Sequence, residues 1–438
     1  MRKELLLFYG KLNFLFPKLM GIAYHNYKNK RLKKYRNEFD AQSELLTMVN
    51  KSINTIPYYK TKYGIDPIQS IEVFHNTIDF IDKTTVMAYW EKFQLPNTPK
   101  NKVVSGTTGG TSGKPLKLIL PKDRYIFELA TMHTMWENVG WTGHTRGVLR
   151  NQKLDKREIF KVNPIKKEII FDGFNTSDAY FENIYQTLKK HNIQYLHAYP
   201  SSAFQFSQFL QRKQKNTSFI KAFLCGSEGL LPEQKHLISD ILQIPIFHWY
   251  GHSEKLILGG YCKASQLVHI EPTYGYFELI DEDGKQITKK GQIGEMVGTT
   301  LHNPYMPLIR YKTGDYAEYA GNYCEHCQRH LPLLKKVYGR WDKNKIYKSD
   351  GTYITTTALN LHSDIYNKIA GIQYVQKNKG DLIVKIIKAE NFNAKDEVVL
   401  ETHYKSAFGK ENNVKIQFVE ALQKQPNGKF INLISEIN

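Results

Sequence analysis

From Asn101 to about Gly339 the chain alternates short apolar runs with stretches whose apolar residues recur at helical spacing. Val103-Val104, Leu116 to Leu120, Glu168 to Phe171, Ala222 to Leu224 and Ile244 to Trp249 predict strands. Phe181 to His191 and Ser202 to Lys213 predict helices. Alternation of this kind predicts an α/β domain. A strand-rich patch follows, with Gly275 to Ile280, a turn at Asp283-Gly284, and Gly294 to Thr299. Beyond Arg340 the texture changes to Ile383 to Ile387, a helix around Glu397 to Phe408, and Val414 to Phe418, which predicts a small α+β domain. Upstream, Asp40 to Ile56 predicts a helix closed by Pro57. Before it, leucines and phenylalanines mixed with Lys and Arg predict a basic amphipathic helix with a stop near Pro17. The expected organisation is a basic helical extension over 1–60, a large α/β domain over 61–340 and a small α+β domain over 341–438. There is no internal repeat and no low-complexity segment.

Composition narrows the class. The chain has 438 residues, of which 41% are hydrophobic, enough for large cores and too many for a mainly disordered chain. No apolar run approaches the ~20 residues needed to span a bilayer. The longest, Leu5 to Phe16, is broken by Lys11 and Asn13 and lacks a small-residue cleavage site, so no secretory signal is expected. Four cysteines do not make a disulfide scaffold, which predicts a cytoplasmic protein whose cysteine clusters serve metal or catalysis.

The formal net charge is +19, which favours anionic partners. It is uneven: Met1 to Arg36 carries +9, the stretch from Trp341 onward +3, and the long middle only +7. No zinc-finger array, aromatic RNA-binding strand or helix-turn-helix pattern accompanies it, so no nucleic acid is expected. A non-catalytic basic binding protein is the alternative class that composition alone permits.

The most informative stretch is Ser105-Gly106-Thr107-Thr108-Gly109-Gly110-Thr111-Ser112-Gly113-Lys114-Pro115, which packs glycines and hydroxyls between two predicted strands. Glycine lets the backbone approach a ligand, and successive N–H groups with hydroxyls make an anion-binding nest. It is not a Walker A loop, because Lys114 is followed by Pro115. Alone it also fits a flexible hairpin turn. Further motifs follow in order: Gly226-Ser227-Glu228-Gly229 and Tyr250-Gly251-His252-Ser253-Glu254 after apolar strands, Tyr311-Lys312-Thr313-Gly314-Asp315, Gly339-Arg340-Trp341-Asp342, and Pro426-Asn427-Gly428-Lys429.

In this order and at these distances the set resembles the adenylate-forming (acyl/aryl-CoA synthetase) superfamily, over roughly residues 100–430. Within it the chain is most similar to the phenylacetate–CoA ligase-like branch, in particular its CapK-like capsular polysaccharide members. The Gly-Gly-Thr-Ser-Gly-Lys-Pro-Leu loop, the basic extension leading to Ile56-Pro57-Tyr58-Tyr59, and the short final domain carry that likeness. The resemblance implies a large multi-sheet α/β N-terminal domain of the adenylate-forming type with a small α+β C-terminal domain. It implies two half-reactions: a carboxylate attacks the α-phosphorus of ATP to give acyl-AMP and pyrophosphate, and a nucleophile then displaces AMP.

By the same resemblance, Gly110, Thr111, Ser112, Gly113 and Lys114 would hold the ATP phosphates, and Glu254 would hold Mg²⁺. Gly226, Ser227, Glu228, Tyr250, Gly251, His252 and Ser253 would line the adenine site, with the Tyr250 ring as a stacking face. Asp315 would take the ribose hydroxyls, with Arg340 nearby. Lys429 would neutralise charge developing on the carboxylate and α-phosphate. Thr111, Glu254 and Lys429 are the expected catalytic residues, and Asp342 the hinge about which the small domain swings. Lys343 stands where better-known acyl-CoA synthetases place an Asp. Singly, Glu254 also fits a helix cap, Asp315 a turn after Gly314, and Lys429 a solvated lysine.

Cys324-Glu325-His326-Cys327 has the spacing of a zinc knuckle, and Cys262 and His269 follow the Glu254 motif. The phenylacetate–CoA ligase-like branch often carries a Cys/His cluster at corresponding places. This predicts a structural Zn²⁺ on Cys262, His269, Cys324 and Cys327, with His326 or His330 as substitutes for His269. Cys225 belongs to the adenine-site strand and is an expected small buried residue.

Tyr195 to Ser202 is expected to border the acyl pocket by family position, with His248 and Trp249 beside it. The acid itself is not legible. The CapK likeness favours a sugar, lipid-linked saccharide precursor or amine as acceptor. A CoA thioester, as in phenylacetate–CoA ligase, is the alternative. The basic first segment predicts peripheral docking on an anionic membrane face where such precursors are handled. The bland alternative is a helix packed on the main domain. Deleting residues 1–36 should abolish sedimentation with anionic liposomes, and unchanged sedimentation would return the segment to ordinary surface.

Overall fold

A computed structural model of the chain describes residues 40–64, 66–107, 116–150, 152, 154–155, 158–173, 175, 177–227, 229–339, 345–351, 353–355, 368–409, 411–424, 431 and 433–437, with Glu4, Leu5 and Lys28. The N-terminal amphipathic segment therefore lies almost wholly outside the described residues.

The first expected helix forms as α1 (Ala41–Thr55). Asp40 caps it by accepting from the Gln42 and Ser43 amides at 3.0 and 3.1 Å. Leu45, Val49 and Ile53 recur one turn apart and are buried. Pro57 opens a second helix, α2 (Pro57–Tyr63), where its missing N–H costs nothing. Then come α3 (Ile71–Thr77), α4 (Lys83–Ala88), β1 (Val103–Thr107), β2 (Lys117–Pro121) and α5 (Arg124–Trp136). Next are β3 (Arg146–Leu149), β4 (Lys161–Asn163), β5 (Glu168–Phe171), α6 (Asp178–Lys190), β6 (Tyr195–Ala198), α7 (Pro200–Arg212) and β7 (Ala222–Gly226). After α8 (Pro232–Lys235) run β8 (Ile246–Gly251), β9 (Leu258–Tyr261), β10 (Val268–Ile270), β11 (Gly275–Ile280), β12 (Ile293–Thr300), β13 (Tyr311–Cys324) and β14 (Arg329–Gly339). The chain closes with β15 (Lys345–Tyr347), β16 (Tyr353–Thr355), β17 (Ile369–Gln376), β18 (Asp381–Lys388), α9 (Ala394–Phe408), β19 (Asn413–Phe418) and β20 (Leu433–Ser435).

The chain divides into two compact units. The first comprises residues 1–144, 164–167 and 247–339. Its strands run in the order β11-β12-β13-β14-β10-β9-β8. The hairpin β1–β2 brackets residues 108–115. Leu45, Val49 and Ile53 of α1 share one core with Val268, Ile270, Leu279, Met296 and Leu334 of the sheet.

The second unit comprises residues 145–163, 168–246 and 340–438. There β5, β3, β6 and β7 are parallel neighbours, so their carboxyl ends lie along one edge. In open α/β sheets that edge is where ligands bind. A separate four-stranded sheet, β19-β18-β17-β20, is covered by α9 through Leu400, Tyr404 and Phe408. The expected strands and helices form within a few residues of their predicted bounds. Two long strands, β13 and β14, escaped prediction, because their polar residues, glycine and repeated register shifts blur the period-2 pattern.

Arg310, at the entry to β13, is a dense polar node of the first unit. It is 5% exposed, and its backbone is left-handed at φ 51°. Its Nε and Nη2 donate to Glu278 Oε1 at 3.2 and 2.9 Å. Its Nη1 donates to the His75 and Ile78 carbonyls at 3.0 and 2.7 Å. The guanidinium lies 3.9 Å from the Phe80 ring centroid. Burial pushes the Glu278 carboxyl up, and Arg310 pulls it back. Removing one partner of such a pair leaves the other charge and two carbonyls stranded. Arg310→Met should therefore lower stability in urea denaturation by about 3–5 kcal/mol, and pairing it with Glu278→Met should restore much of that. Single-variant stability equal to wild type would refute the role of this clasp.

Candidate active site

Strand β8 delivers Tyr250 and Gly251, and the chain then turns through Ser253 and Glu254 without starting a helix. Lys255 is left-handed at φ 62°, and the reversal brings the Ile257 amide to His252 Nε2 at 3.1 Å. Nε2 accepts there, so the ring proton sits on Nδ1. Nδ1 in turn lies 3.0 Å from Glu254 Oε2 and donates to it. The other carboxylate oxygen, Oε1, accepts from the Tyr311 hydroxyl at 3.2 Å. Glu254 is thus 6% exposed and fixed from two sides by neutral donors.

Asp315 lies inside β13 and does not follow a simple turn. Gly314 is left-handed at φ 69°, and its amide donates to Glu295 Oε1 at 3.1 Å. The Asp315 amide donates to Thr313 Oγ1 at 3.1 Å, and that hydroxyl donates to the Met296 carbonyl at 2.7 Å. This bend turns Asp315 towards Tyr250, whose hydroxyl donates to its Oδ2 at 2.7 Å. Burial, followed by the Asp315 and Glu254 carboxylates, pushes the Tyr250 phenol well above its ordinary value. It therefore stays a protonated donor. Strands β8 and β13 stand four places apart in the sheet order, so the sheet curls to bring the two carboxylates' motifs together. Tyr311 was not foreseen as a site residue. Its signal was the alternation of Tyr311, Thr313 and Asp315 along one strand.

Gly226 ends β7, and Ser227 follows it in the left-handed region at φ 69°. Ser227 Oγ accepts from Arg150 Nη2 at 2.9 Å. His197 and Tyr199 stand in and just after β6, in the same unit. Trp249 proves to be core: it is 7% exposed and packed with Phe247 and Trp136. Gly110, Thr111, Ser112, Gly113, Lys114, Glu228, Arg340, Asp342 and Lys429 lie outside the described residues. The stems of the segment holding Lys429 are described. Gln373 of β17, fully buried, donates to the Gln423 and Ile431 carbonyls at 2.9 and 2.7 Å and accepts from the Gln423 amide at 3.3 Å.

Separately, Cys262, His269, Cys324 and Cys327 come together, with one ligand-capable atom of each within 4.8 Å of the others. Cys262 follows β9, His269 lies in β10, and the two remaining cysteines flank the β13–β14 turn. Each knuckle is built alike: the Cys262 carbonyl accepts from the Gln266 amide at 2.9 Å, and that of Cys324 from Gln328 at 2.8 Å. Gln266 and Gln328 are both left-handed. His269 Nδ1 lies 3.9 Å from Cys327 Sγ, and its Nε2 is buried with no hydrogen-bond partner. Burial, with Arg329 nearby, holds the His269 ring neutral, at about 4. His326 and His330 are exposed, and Cys225 is buried in β7.

Residues 346–436 match the family model of the CapK C-terminal domain. Protein CapK of Staphylococcus aureus is 23% identical over 414 residues, which span 92% of this chain and 87% of that one. A phenylacetate-coenzyme A ligase of Thermus thermophilus is 26% identical over 168 residues, 38% of this chain and 37% of that one. Among solved structures, 2-hydroxyisobutyryl-CoA ligase in the postadenylation state, in complex with R3-HIB-AMP, aligns with a TM-score of 0.65 at 14% identity. That alignment covers 90% of this chain and 88% of that one. The chain is similar to CapK over most of its length and shares the fold of the 2-hydroxyisobutyryl-CoA ligase. The CapK C-terminal match takes in β15 to β20 and α9. The Glu254–Tyr311 and Tyr250–Asp315 contacts lie upstream of it. No helix among the described residues is long and apolar enough to cross a membrane.

Proposed function

We propose that this chain activates a carboxylic acid with ATP and then passes the acyl group to a sugar or amine acceptor in capsular or exopolysaccharide assembly. The observation that carries the reading is the convergence of Glu254 and Asp315, from motifs about sixty residues apart, through the Tyr250 and Tyr311 hydroxyls. One substrate carboxylate oxygen attacks the α-phosphorus, and the bond to pyrophosphate breaks. Asp315, oriented by Tyr250, accepts the ribose hydroxyls. The Tyr250 ring stacks on adenine, with Gly251, His252 and Ser253 completing that wall. Residues 110–114 cradle the phosphates with N–H and hydroxyl donors. Lys429 neutralises charge as the new P–O bond forms. Magnesium, when bound, would neutralise phosphate charge, and Glu254 would be the carboxylate that holds it. In the second half-reaction the acceptor attacks the acyl carbon and the bond to AMP breaks. Asp342 is the hinge between the large domain over 61–340 and the small one over 341–438, and Arg340 approaches the ribose. A CoA acceptor is the second reading, favoured by the Thermus phenylacetate-CoA ligase likeness. A cytoplasmic site of action, peripheral to an anionic membrane, belongs to the same proposal.

The Cys/His cluster fits structural zinc. A tetrahedral S₃N site with bonds of about 2.0–2.3 Å has ligand edges of about 3.6–3.8 Å, close to the spacing here. Burial and the neighbouring Cys324 push the Cys327 thiol up to about 11. The buried His269 Nε2 has no other hydrogen-bond partner. Cys262, His269, Cys324 and Cys327 would hold the ion and cross-link β9, β10 and the β13–β14 turn.

The first test is carboxylate-dependent ATP–pyrophosphate exchange over aryl, amino, hydroxy and dicarboxylic acids. Exchange with at least one acid is expected, and Lys429→Ala should cut it about 100-fold or more while leaving ATP binding intact. No exchange with any acid would remove the reading, and normal exchange by the variant would remove Lys429 from it. Supplying CoA or amino sugars afterwards separates the acceptors. The second test is metal analysis of the purified chain. One zinc per chain is expected, falling towards zero in Cys324→Ser together with the melting temperature. Wild-type protein with well under one zinc would refute the metal.

A further inference from the structure

The chain reversal that aims Glu254 is held from outside its own motif, by the first two turns of α5. Lys255, the residue after Glu254, is left-handed at φ 62° without being glycine. Such a backbone persists only where its surroundings over-determine it. Arg124 opens α5, and its Nη2 donates to the Lys255 carbonyl at 2.7 Å. Glu128, one turn further along the helix, takes the Lys255 ammonium with both carboxylate oxygens, Oε1 at 2.8 Å and Oε2 at 2.7 Å. Arg124 and Glu128 therefore grip one residue, the first by its backbone and the second by its side chain.

Arg124 is itself fixed. It is buried, and its guanidinium lies 4.0 Å from the Tyr274 ring centroid and 4.6 Å from that of Phe127, two buried rings. The sheet fixes the next residue along the reversal. A Cβ on Gly275 would lie 1.9 Å from the Leu256 carbonyl oxygen, so only glycine lets β11 pass there. A half-buried ion pair adds little to global stability, yet this one acts on the backbone immediately after Glu254. The helix has a second connection as well. It begins three residues after β2, the second strand of the hairpin that brackets residues 108–115. The element that continues the candidate phosphate segment thus holds the candidate magnesium carboxylate in place.

We propose that Arg124 and Glu128, acting through Lys255, are positioning residues that set the reach of Glu254 towards magnesium. The inference rests on the reading of Glu254 as the magnesium carboxylate and adds the residues that hold it on target. In this role neither Arg124 nor Glu128 touches metal or ATP. Losing either lets Lys255 relax out of the left-handed region, and Glu254 then leaves His252 and Tyr311.

Calorimetric titration with ATP over a series of magnesium concentrations tests this, with pyrophosphate exchange and melting temperature read on the same proteins. Arg124→Met should raise the magnesium concentration for half-maximal enhancement of ATP affinity by about 10-fold or more. Glu128→Gln should raise it by about 3-fold. ATP affinity without magnesium should stay as in wild type. Arg124→Lys, which can still donate to the Lys255 carbonyl, should recover part of the loss. Glu128→Lys combined with Lys255→Glu reverses the pair and should lie closer to wild type than either single change. Unchanged magnesium dependence in folded Arg124→Met and Glu128→Gln would overturn the proposal, as would equal losses of ATP affinity with and without magnesium. If Arg124→Met fails to fold, Glu128→Gln and Lys255→Met, changed at half-buried side chains, decide the question. Wild type whose ATP affinity ignores magnesium would overturn the proposal together with the assignment of Glu254. If no acid supports exchange while the magnesium dependence still shifts in the variants, the adenylation reading falls and the positioning role stands.

Discussion

A buried guanidinium sets the geometry on which the candidate site depends. Arg310 joins Glu278 of β11 to the carbonyls that close α3, and so fixes where β13 begins. The next residue, Tyr311, reaches Glu254, and Asp315 four residues later reaches Tyr250. A slip of one residue in β13 would send both side chains to the opposite face. The cost of burying Arg310 and Glu278 is offset by four hydrogen bonds to the guanidinium and a ring face, more than a lone ion pair supplies.

The fold class was legible because strand and helix periods were clean wherever one face was buried. Glu168–Phe171 and Gly275–Ile280 form strands at their predicted bounds. Asp40 caps the first helix one residue from its predicted start. The β13–β14 ribbon was illegible for the opposite reason. Its register slips several times, and a left-handed glycine interrupts it just before Asp315. Local rules fail there because the backbone is bent.

The motifs were legible as an ordered set, but their supports were not. Nothing in the sequence marks Tyr311 as the partner of Glu254, or Gln373 as the clamp on both stems of the segment holding Lys429. A primary amide with two donors and one acceptor is well matched to close such a loop, yet any buried glutamine looks alike in sequence. The Cys/His group was readable because thiol and imidazole spacing is itself the signal.

The account's central claim is that Glu254 and Asp315, held together by two tyrosine hydroxyls, form one nucleotide-binding centre. Calorimetric titration of the chain with ATP, with and without magnesium, tests it most directly. Wild type should bind one ATP with magnesium-enhanced affinity, Glu254→Gln should bind ATP but lose the enhancement, and Asp315→Ala should bind weakly under both conditions. Magnesium enhancement that survives in Glu254→Gln, or ATP affinity unchanged in Asp315→Ala, would contradict it.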